Sequence, residues 1–514
     1  MLNLTIIYHM HQPYYKNLLT GESDLPWVRL HGVKDYLDMV QMLKNFPKMK
    51  LTFNVVPSLF EQIEDYNHAG LEDKYLQLSR KPADQLTQGD KEFILQNFFS
   101  INPEKVISFS PRYYQLYFKR KSGQEFSLAD YLDLQVCFNL YWIDPSFRKN
   151  IPQIKQVADK ERFFSEADKQ IVLDQQLEIL KQIIPAYKLA QNNQQIEISV
   201  TPYYHPILPL LYDTNIAKEA NKKTHLPKEG FNYPLDAKYQ IDSAIEFYSQ
   251  KFDTAPLGMW PSEEGVSEHI LPYIIESGIK WIVADEAILF KSLKLKKRNP
   301  ELLYQPYLLK RKEGQLNIVF RDRNLSDLIG FVYHKMKETD AVNDFMTHLK
   351  NIHQAYNEKD ILVTIAMDGE NAWEYFRNDG HDFLELLYQR ISQADFIKTT
   401  TVSEYLKLNP AKKEIKRLSA GSWIYGEFGK WIGNPQKVKA WEWLAQARKA
   451  MGETKNPSDL AWKQMYILEG SDWFWWAGED PDGSFDRLFR LHLTNLYQLI
   501  KEEPPAYLGA PLVA

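Results

Sequence analysis

Seven short apolar runs, most of them continuous rather than alternating, constrain this chain more than any other feature. They are LTIIY (4–8), LTFNVV (51–56), IEISVT (196–201), PLGMW (256–260), WIVA (281–284), LNIVF (316–320) and ILVTIAM (361–367), with a weaker eighth, IKTTTV (397–402). A strand with one solvated face alternates in polarity, whereas an uninterrupted apolar strand is buried on both faces, as in parallel sheets. Most of the runs are followed by helical pattern. Seven or eight such strands separated by helices predict an α/β fold closed into a barrel rather than an open sheet.

Residues able to do chemistry gather where these runs end. His9 and His11 follow the first run and His205 the third; Glu263 and Glu264 follow the fourth, Asp285 and Glu286 the fifth, Asp322 the sixth, Asp368 and Glu370 the seventh. Turns favour Asp, so one acid at a strand end means little. Six of seven ends carrying His, Asp or Glu points to an enzyme, because barrel active sites lie at the carboxyl ends of the strands.

Between the second and third runs, about 60–190 is helical and charged in pattern, as in DKQIVLDQQLEILKQIIPAYKLA, which predicts a helical insertion on the barrel. From 405 to 514 the pattern is again helical and rich in Trp, with Asn434 and Pro435 marking a helix start. The organisation expected is a catalytic barrel over 1–404 and a C-terminal helical domain over 405–514 that completes a cleft. The basic runs at 292–298 and 412–417 read as solvated faces.

A net charge of -5 gives no support for nucleic acid as a partner, and no apolar run is long enough to span a membrane. Cys137 is the only cysteine, which suits a reducing compartment. The N-terminus lacks the basic and apolar regions of a signal peptide, so a cytoplasmic protein is expected. Aromatic residues make up 14% of the chain, and eight of the 13 Trp lie beyond residue 420, Trp423 and Trp473 among them. Some of these build core; others offer flat faces to a ligand with ring faces, such as a sugar chain.

Glu263 and Asp368, far apart in sequence but on one barrel face, form the kind of carboxylate pair that glycoside hydrolysis needs. Asp368 directly follows a buried strand, which favours a raised pKa. In an extended chain Glu263 and Glu264 point to opposite faces, so only one of them is expected in the cleft, with Glu264 turned to the helical layer or solvent. His9 and His11, two apart on one side of a strand, suit either substrate hydroxyls or a metal. A metal-dependent sugar hydrolase built from His9, His11, His205, Asp285 and Asp368 is a minor alternative, since no compact His-x-x-x-His signature is present. A non-catalytic glucan-binding protein is another, against which both carboxylates argue.

Five segments in order, HMHQP (9–13), VTPYYHPILPLL (200–211), GMWPSEEGVS (258–267), MDGENAWE (367–374) and GSWI…EFGKWIGNPQKVKAWEWL (421–444), resemble the motifs of glycoside hydrolase family 57. The resemblance spans nearly the whole chain. It implies a distorted (β/α)7 TIM-like barrel with a helical C-terminal region, and retaining chemistry on α-glucans without metal or other cofactor. It implies Glu263 as nucleophile and Asp368 as general acid/base, with His9, His11, His205, Trp260, Asp285, Glu370, Trp423 and Trp473 around the sugar. An amylase or amylopullulanase texture is expected, cleaving α-1,4 and also α-1,6 bonds in an α-glucan or maltooligosaccharide. Transfer to another glucan, as in a 4-α-glucanotransferase or branching enzyme, uses the same pair. The chain departs from the family at Glu479-Asp480-Pro481, where an Asp-His pair is expected, and at IGNP in place of IGHP.

Overall fold

A computed structural model of the chain describes residues 1–356 and 359–512. Ten strands appear in chain order: β1 (Leu2–Met10), β2 (Leu51–Val55), β3 (Ile196–Val200), β4 (Gly258–Met259), β5 (Trp281–Asp285), β6 (Tyr307–Arg311), β7 (Gly314–Arg321), β8 (Ile361–Asp368), β9 (Ile397–Thr399) and β10 (Lys413–Glu414). They form one sheet in the order β10-β6-β7-β5-β4-β3-β2-β1-β8, with β9 beside β1. Each of the eight expected runs contributes a strand. The neighbours are parallel except β6 and β7, which form an antiparallel hairpin.

The seven strands β1, β2, β3, β4, β5, β7 and β8 are the staves of a distorted barrel, and the ladder is interrupted between β7 and β8. At that seam the backbone N–H of Asp322 donates to the Thr364 carbonyl at 2.8 Å, and Arg321 Nη1 donates to the Ala366 carbonyl at 3.0 Å. β6 escaped sequence reading because it lies outside these seven staves: only Tyr307 and Leu309 are buried in it, and its end is the charged LKRKEG turn. β10 pairs with β6 at the sheet edge, and both its residues are exposed, so the basic run at 412–417 keeps its solvated character there.

Residues from β1, β5, β7 and β8 fill the barrel interior. Ile7, Trp281, Val283, Val319, Leu362 and Ala366 pack together with Val402 and Tyr405. The helix Val402–Leu408 closes this interior: Ser403 donates its backbone N–H and hydroxyl to Glu197, which also accepts the indole N–H of Trp281 at 2.8 Å. Gly258 makes room for that indole, since a Cβ there would lie 2.0 Å from Trp281 Cζ2.

From Pro57 to Asn192 the connection between β2 and β3 is helical, ending in the 27-residue helix Glu166–Asn192. Reciprocal capping boxes start three of its helices, at Thr87, Ser127 and Ser165. Arg29, wholly buried, holds Asp73 through two hydrogen bonds of 2.7 and 3.1 Å and also donates to Asn139 and Gln176. Among the described residues beyond 430 there are four α-helices, Pro435–Glu453, Asp459–Leu468, Ser471–Trp476 and Ser484–Leu499. The first is capped by Asn434, whose side chain accepts from the Lys437 N–H at 2.8 Å. They reach the barrel mouth, where the Ser471 N–H donates to the His205 carbonyl at 3.0 Å.

Candidate active site

A cavity of about 540 Å³ opens at the carboxyl ends of the barrel strands, between β1, β4, β8 and the helix Ser471–Trp476. Glu263, Asp368, His9, His11, His205, Glu370 and Trp423 all line it. That volume lies in the usual range for small-ligand sites.

Glu263 and Glu264 do not lie in extended chain. They form a tight turn after β4 with φ of 58° and 51°, in the left-handed region that non-glycine residues avoid. Strand alternation therefore does not separate the two acids; the turn does. Glu263 borders the cavity. Glu264 is fully buried, with neither carboxylate oxygen hydrogen-bonded, so it does not point to solvent as one of the sequence expectations had it. Burial pushes its pKa well above the usual range, opposed by the Arg321 charge.

Glu263 Oε2 accepts the indole N–H of Trp423 at 2.7 Å, and its Oε1 lies 3.4 Å from Ser471 Oγ. Burial raises its pKa well above the ordinary value, and the Asp368 and Asp472 carboxylates raise it further, against the Trp423 indole N–H. Asp368 ends β8 and faces His9 across the β1–β8 register. Its Oδ2 accepts from Asn371 Nδ2 at 3.3 Å, and burial again raises the pKa, against Asn371, His11 and Arg321. The Asp368 charge thus disfavours ionisation of Glu263, the like-charge effect expected of two carboxylates on one cavity. The next residue, Gly369, is required by packing: a Cβ there would meet Met10 Sδ at 2.3 Å.

Behind the acids runs a chain of buried imidazoles. His9 Nδ1 lies 2.5 Å from Asn54 Oδ1, His9 Nε2 lies 3.1 Å from His205 Nε2, and His205 Nδ1 lies 2.8 Å from Ser471 Oγ. Burial lowers the pKa of both rings, that of His9 to about 3, with the His11 charge adding to the effect. Both are neutral, so Asn54 fixes the tautomers: His9 donates from Nδ1, His205 donates from Nε2, and Ser471 donates to His205. The Ser471 hydrogen is thereby committed, which leaves the Trp423 indole as the strong donor to Glu263. His205, like Glu263, is left-handed, with φ of 59°. On the opposite wall, Glu370 Oε1 accepts the His11 N–H at 3.3 Å, while its Oε2 has no partner. Burial and the Asp368 charge raise the Glu370 pKa well above normal.

His11, His205 and Asp472 bring one ligand atom each within 4.8 Å of one another, a grouping with the residue types of a metal site. The ring geometry opposes that use. The two imidazoles stack, with centroids 3.8 Å apart and planes 21° apart, so their in-plane lone pairs run side by side and do not converge on one ion at about 2.0–2.1 Å. His11 Nε2 instead lies 3.0 and 3.1 Å from the two oxygens of Asp472.

Three residues expected around the sugar do not line the cavity. Trp260 backs the site, stacked on His9 at 4.9 Å and edge-on to Trp423 at 5.5 Å. Asp285 is wholly buried: it accepts from Arg321 at 3.0 Å, pairs with Arg323 and caps the helix Glu286–Ser292 through the Ala287 N–H. A strand-end acid that starts a helix and holds two arginines has no lone pair left for substrate. Trp473 turns inward, donating to the Ile467 carbonyl at 2.8 Å, and its neighbours Trp475 and Trp476 line the cavity in its place. Sequence reading also missed Asn54, Ser471 and Asp472. The stretch GSDWFWW (470–476) advertised aromatics, but nothing in it announces a partner for His11 461 positions away.

The glycosyl hydrolase family 57 model matches residues 5–417. Alpha-amylase 1 of Dictyoglomus thermophilum is 26% identical over 266 residues, 51% of this chain and 33% of that protein, so the chain spans about a third of the length of that curated relative. Among solved structures, a branching enzyme of the same family from Thermococcus kodakaraensis aligns with a TM-score of 0.60 at 16% identity, covering 97% of this chain and 90% of its own. An α-amylase from Thermotoga maritima gives 0.61 at 13% identity, covering 97% and 93%. A 4-α-glucanotransferase from Thermococcus litoralis gives 0.56 at 15%, covering 97% and 60%. At these identities the structures establish a shared fold, and the model match establishes the lineage: the chain belongs to glycosyl hydrolase family 57.

Proposed function

We propose that the chain is a retaining α-glucan-active enzyme in which Glu263 is the nucleophile and Asp368 the general acid/base. The observation that carries this reading is the unequal treatment of two carboxylates on one cavity. Glu263 receives a short indole hydrogen bond that favours its charged form, while Asp368 has one long amide contact at a cavity wall. Retaining chemistry needs the proton on Asp368, beside the leaving oxygen, and the indole bond opposes the burial that raises the Glu263 pKa.

In the first step Asp368 gives its proton to the glycosidic oxygen as the C1–O bond breaks, and a Glu263 oxygen bonds to C1. In the second, Asp368 takes a proton from water as that oxygen attacks C1 and the Glu263 ester breaks. Trp423, Trp475, Trp476 and Phe485 supply ring faces, and His11, Glu370 and Asp472 supply hydrogen-bonding groups for hydroxyls. The amylopullulanase reading extends the same steps to α-1,6 bonds. A single cysteine, buried Cys137, fits residence in the cytoplasm. Among the described residues no helix is long and apolar enough to cross a membrane.

One observation favours transfer as a second outcome. On another side of Asp368 lies a cavity of about 510 Å³ walled by Met367, Ala372, Tyr375, Trp423 and the exposed Phe331. Apolar walls beside the general base suit a sugar acceptor better than free water. Incubation with amylose, pullulan and maltooligosaccharides tests both readings. New reducing ends report hydrolysis, and redistributed chain lengths at constant reducing ends report transfer. A Glu263→Gln variant with near-normal turnover would sink the catalytic assignment.

A further inference from the structure

A second opening joins the carboxylate cavity from the side of the helical insertion. It holds about 770 Å³ and is lined by Asn102, Ser108, Tyr114, Phe118 and Lys121 of the insertion together with Glu374 and Tyr375. Glu374 and Tyr375 also line the carboxylate cavity, so the two spaces meet at these residues. Tyr114 and Phe118 lie one turn apart on the helix Pro111–Lys121, their rings 4.7 Å apart and edge-on, and 43% and 51% exposed. Tyr375 is 52% exposed. Three large aromatics left in water along one groove need a reason, since burying them is worth more than exposing them. Their spacing with amide, hydroxyl, carboxylate and ammonium groups is the chemistry that holds a carbohydrate chain, ring faces on aromatic faces and hydroxyls on polar groups.

From this continuity we infer that the groove between the insertion and Tyr375 binds the onward run of the α-glucan chain whose reacting bond lies between Glu263 and Asp368, so that the enzyme selects long chains over short ones. The inference rests on the α-glucan reading above. A protein partner on the same patch would leave chain-length selection untouched.

The test is the double variant Tyr114→Ala/Phe118→Ala, both positions at the surface, with its thermal midpoint compared with the parent to verify folding. The ratio of kcat/KM on amylose to that on maltotriose is expected to fall about tenfold from the loss of two ring contacts, with maltotriose turnover within about twofold of the parent. An unchanged ratio, or an equal fall on both substrates, overturns the inference. A second readout needs no turnover. In native gels cast with amylose, Glu263→Gln protein is expected to be retarded, and the triple variant carrying all three substitutions to migrate freely. Equal retardation of the two also overturns it. Failure of the parent to act on amylose and on every maltooligosaccharide would refute the α-glucan reading, while the gel would still decide the groove.

Discussion

Replacing Trp423 with Phe removes one hydrogen-bond donor while leaving a six-membered aromatic ring against Trp260 and under the Arg321 guanidinium. The donor lost is the indole N–H at 2.7 Å from Glu263 Oε2. A hydrogen bond to a charged group contributes about 1.5–3 kcal/mol. At 1.36 kcal/mol per pKa unit, removing it raises the Glu263 pKa by roughly one to two units. Burial and the Asp368 and Asp472 charges already hold that pKa well above normal, and the indole opposes them, so the substitution adds to an upward shift. A nucleophile attacks only when ionised. The acidic limb of the kcat/KM profile on a maltooligosaccharide is therefore expected to move up by about one to two pH units, with a ten- to hundredfold loss at a pH on that limb. The alkaline limb, set by protonated Asp368, stays closer to its place, and the bell narrows. Stability carries the same sign: a carboxyl whose folded pKa lies above its unfolded value near 4.3 contributes stability below that value and loses it as pH rises through the folded pKa. The variant loses more, relative to the parent, on the way up. An acidic limb that stays put or moves down, with loss confined to KM, would refute the role given to the indole.

Glu264→Gln is expected to keep most activity, because a buried carboxyl off the cavity is replaced by an amide of the same shape, whereas Glu263→Gln loses nearly all; steady-state rates on one substrate compare them. Gly369→Ala forces a Cβ against Met10 and is expected to cost about 1–3 kcal/mol by thermal denaturation, with partial recovery when Met10 is shortened to Val. Arg29→Met leaves Asp73 buried without its cation and is expected to cost about 3–5 kcal/mol in denaturant titrations. Exhaustive chelation is expected to leave turnover unchanged, given the stacked imidazoles; activity lost to chelator and restored by zinc would overturn that geometry argument.

Much of the architecture was legible because burial on both faces writes itself locally. β1, β2 and β5 read as largely apolar runs and are buried at every position. β6 was illegible for the same reason, as a half-exposed hairpin strand outside the barrel. The ends of β1, β4 and β8 named His9, Glu263 and Asp368, since a barrel gathers the carboxyl ends of its strands on one face. The same logic overreached at Asp285, where two arginines and a helix start claimed the acid, an outcome set by Arg321 and Arg323 far along the chain.

What the sequence by itself determined, then, is the set of staves, the acid- and histidine-bearing strand ends and the family lineage, all of which depend on near neighbours or ordered motifs. The motif already pointed to Glu263 rather than Glu264; the tertiary structure supplied the means, a left-handed turn in place of the extended chain that alternation assumes. It also brought Trp423 and Ser471 to Glu263, Asp472 to His11, and the exposed aromatics of the insertion to Tyr375. Those pairings span from 160 to 461 positions. Contacts of that kind are specified by how whole helices pack on the barrel, and no local pattern of residues encodes them.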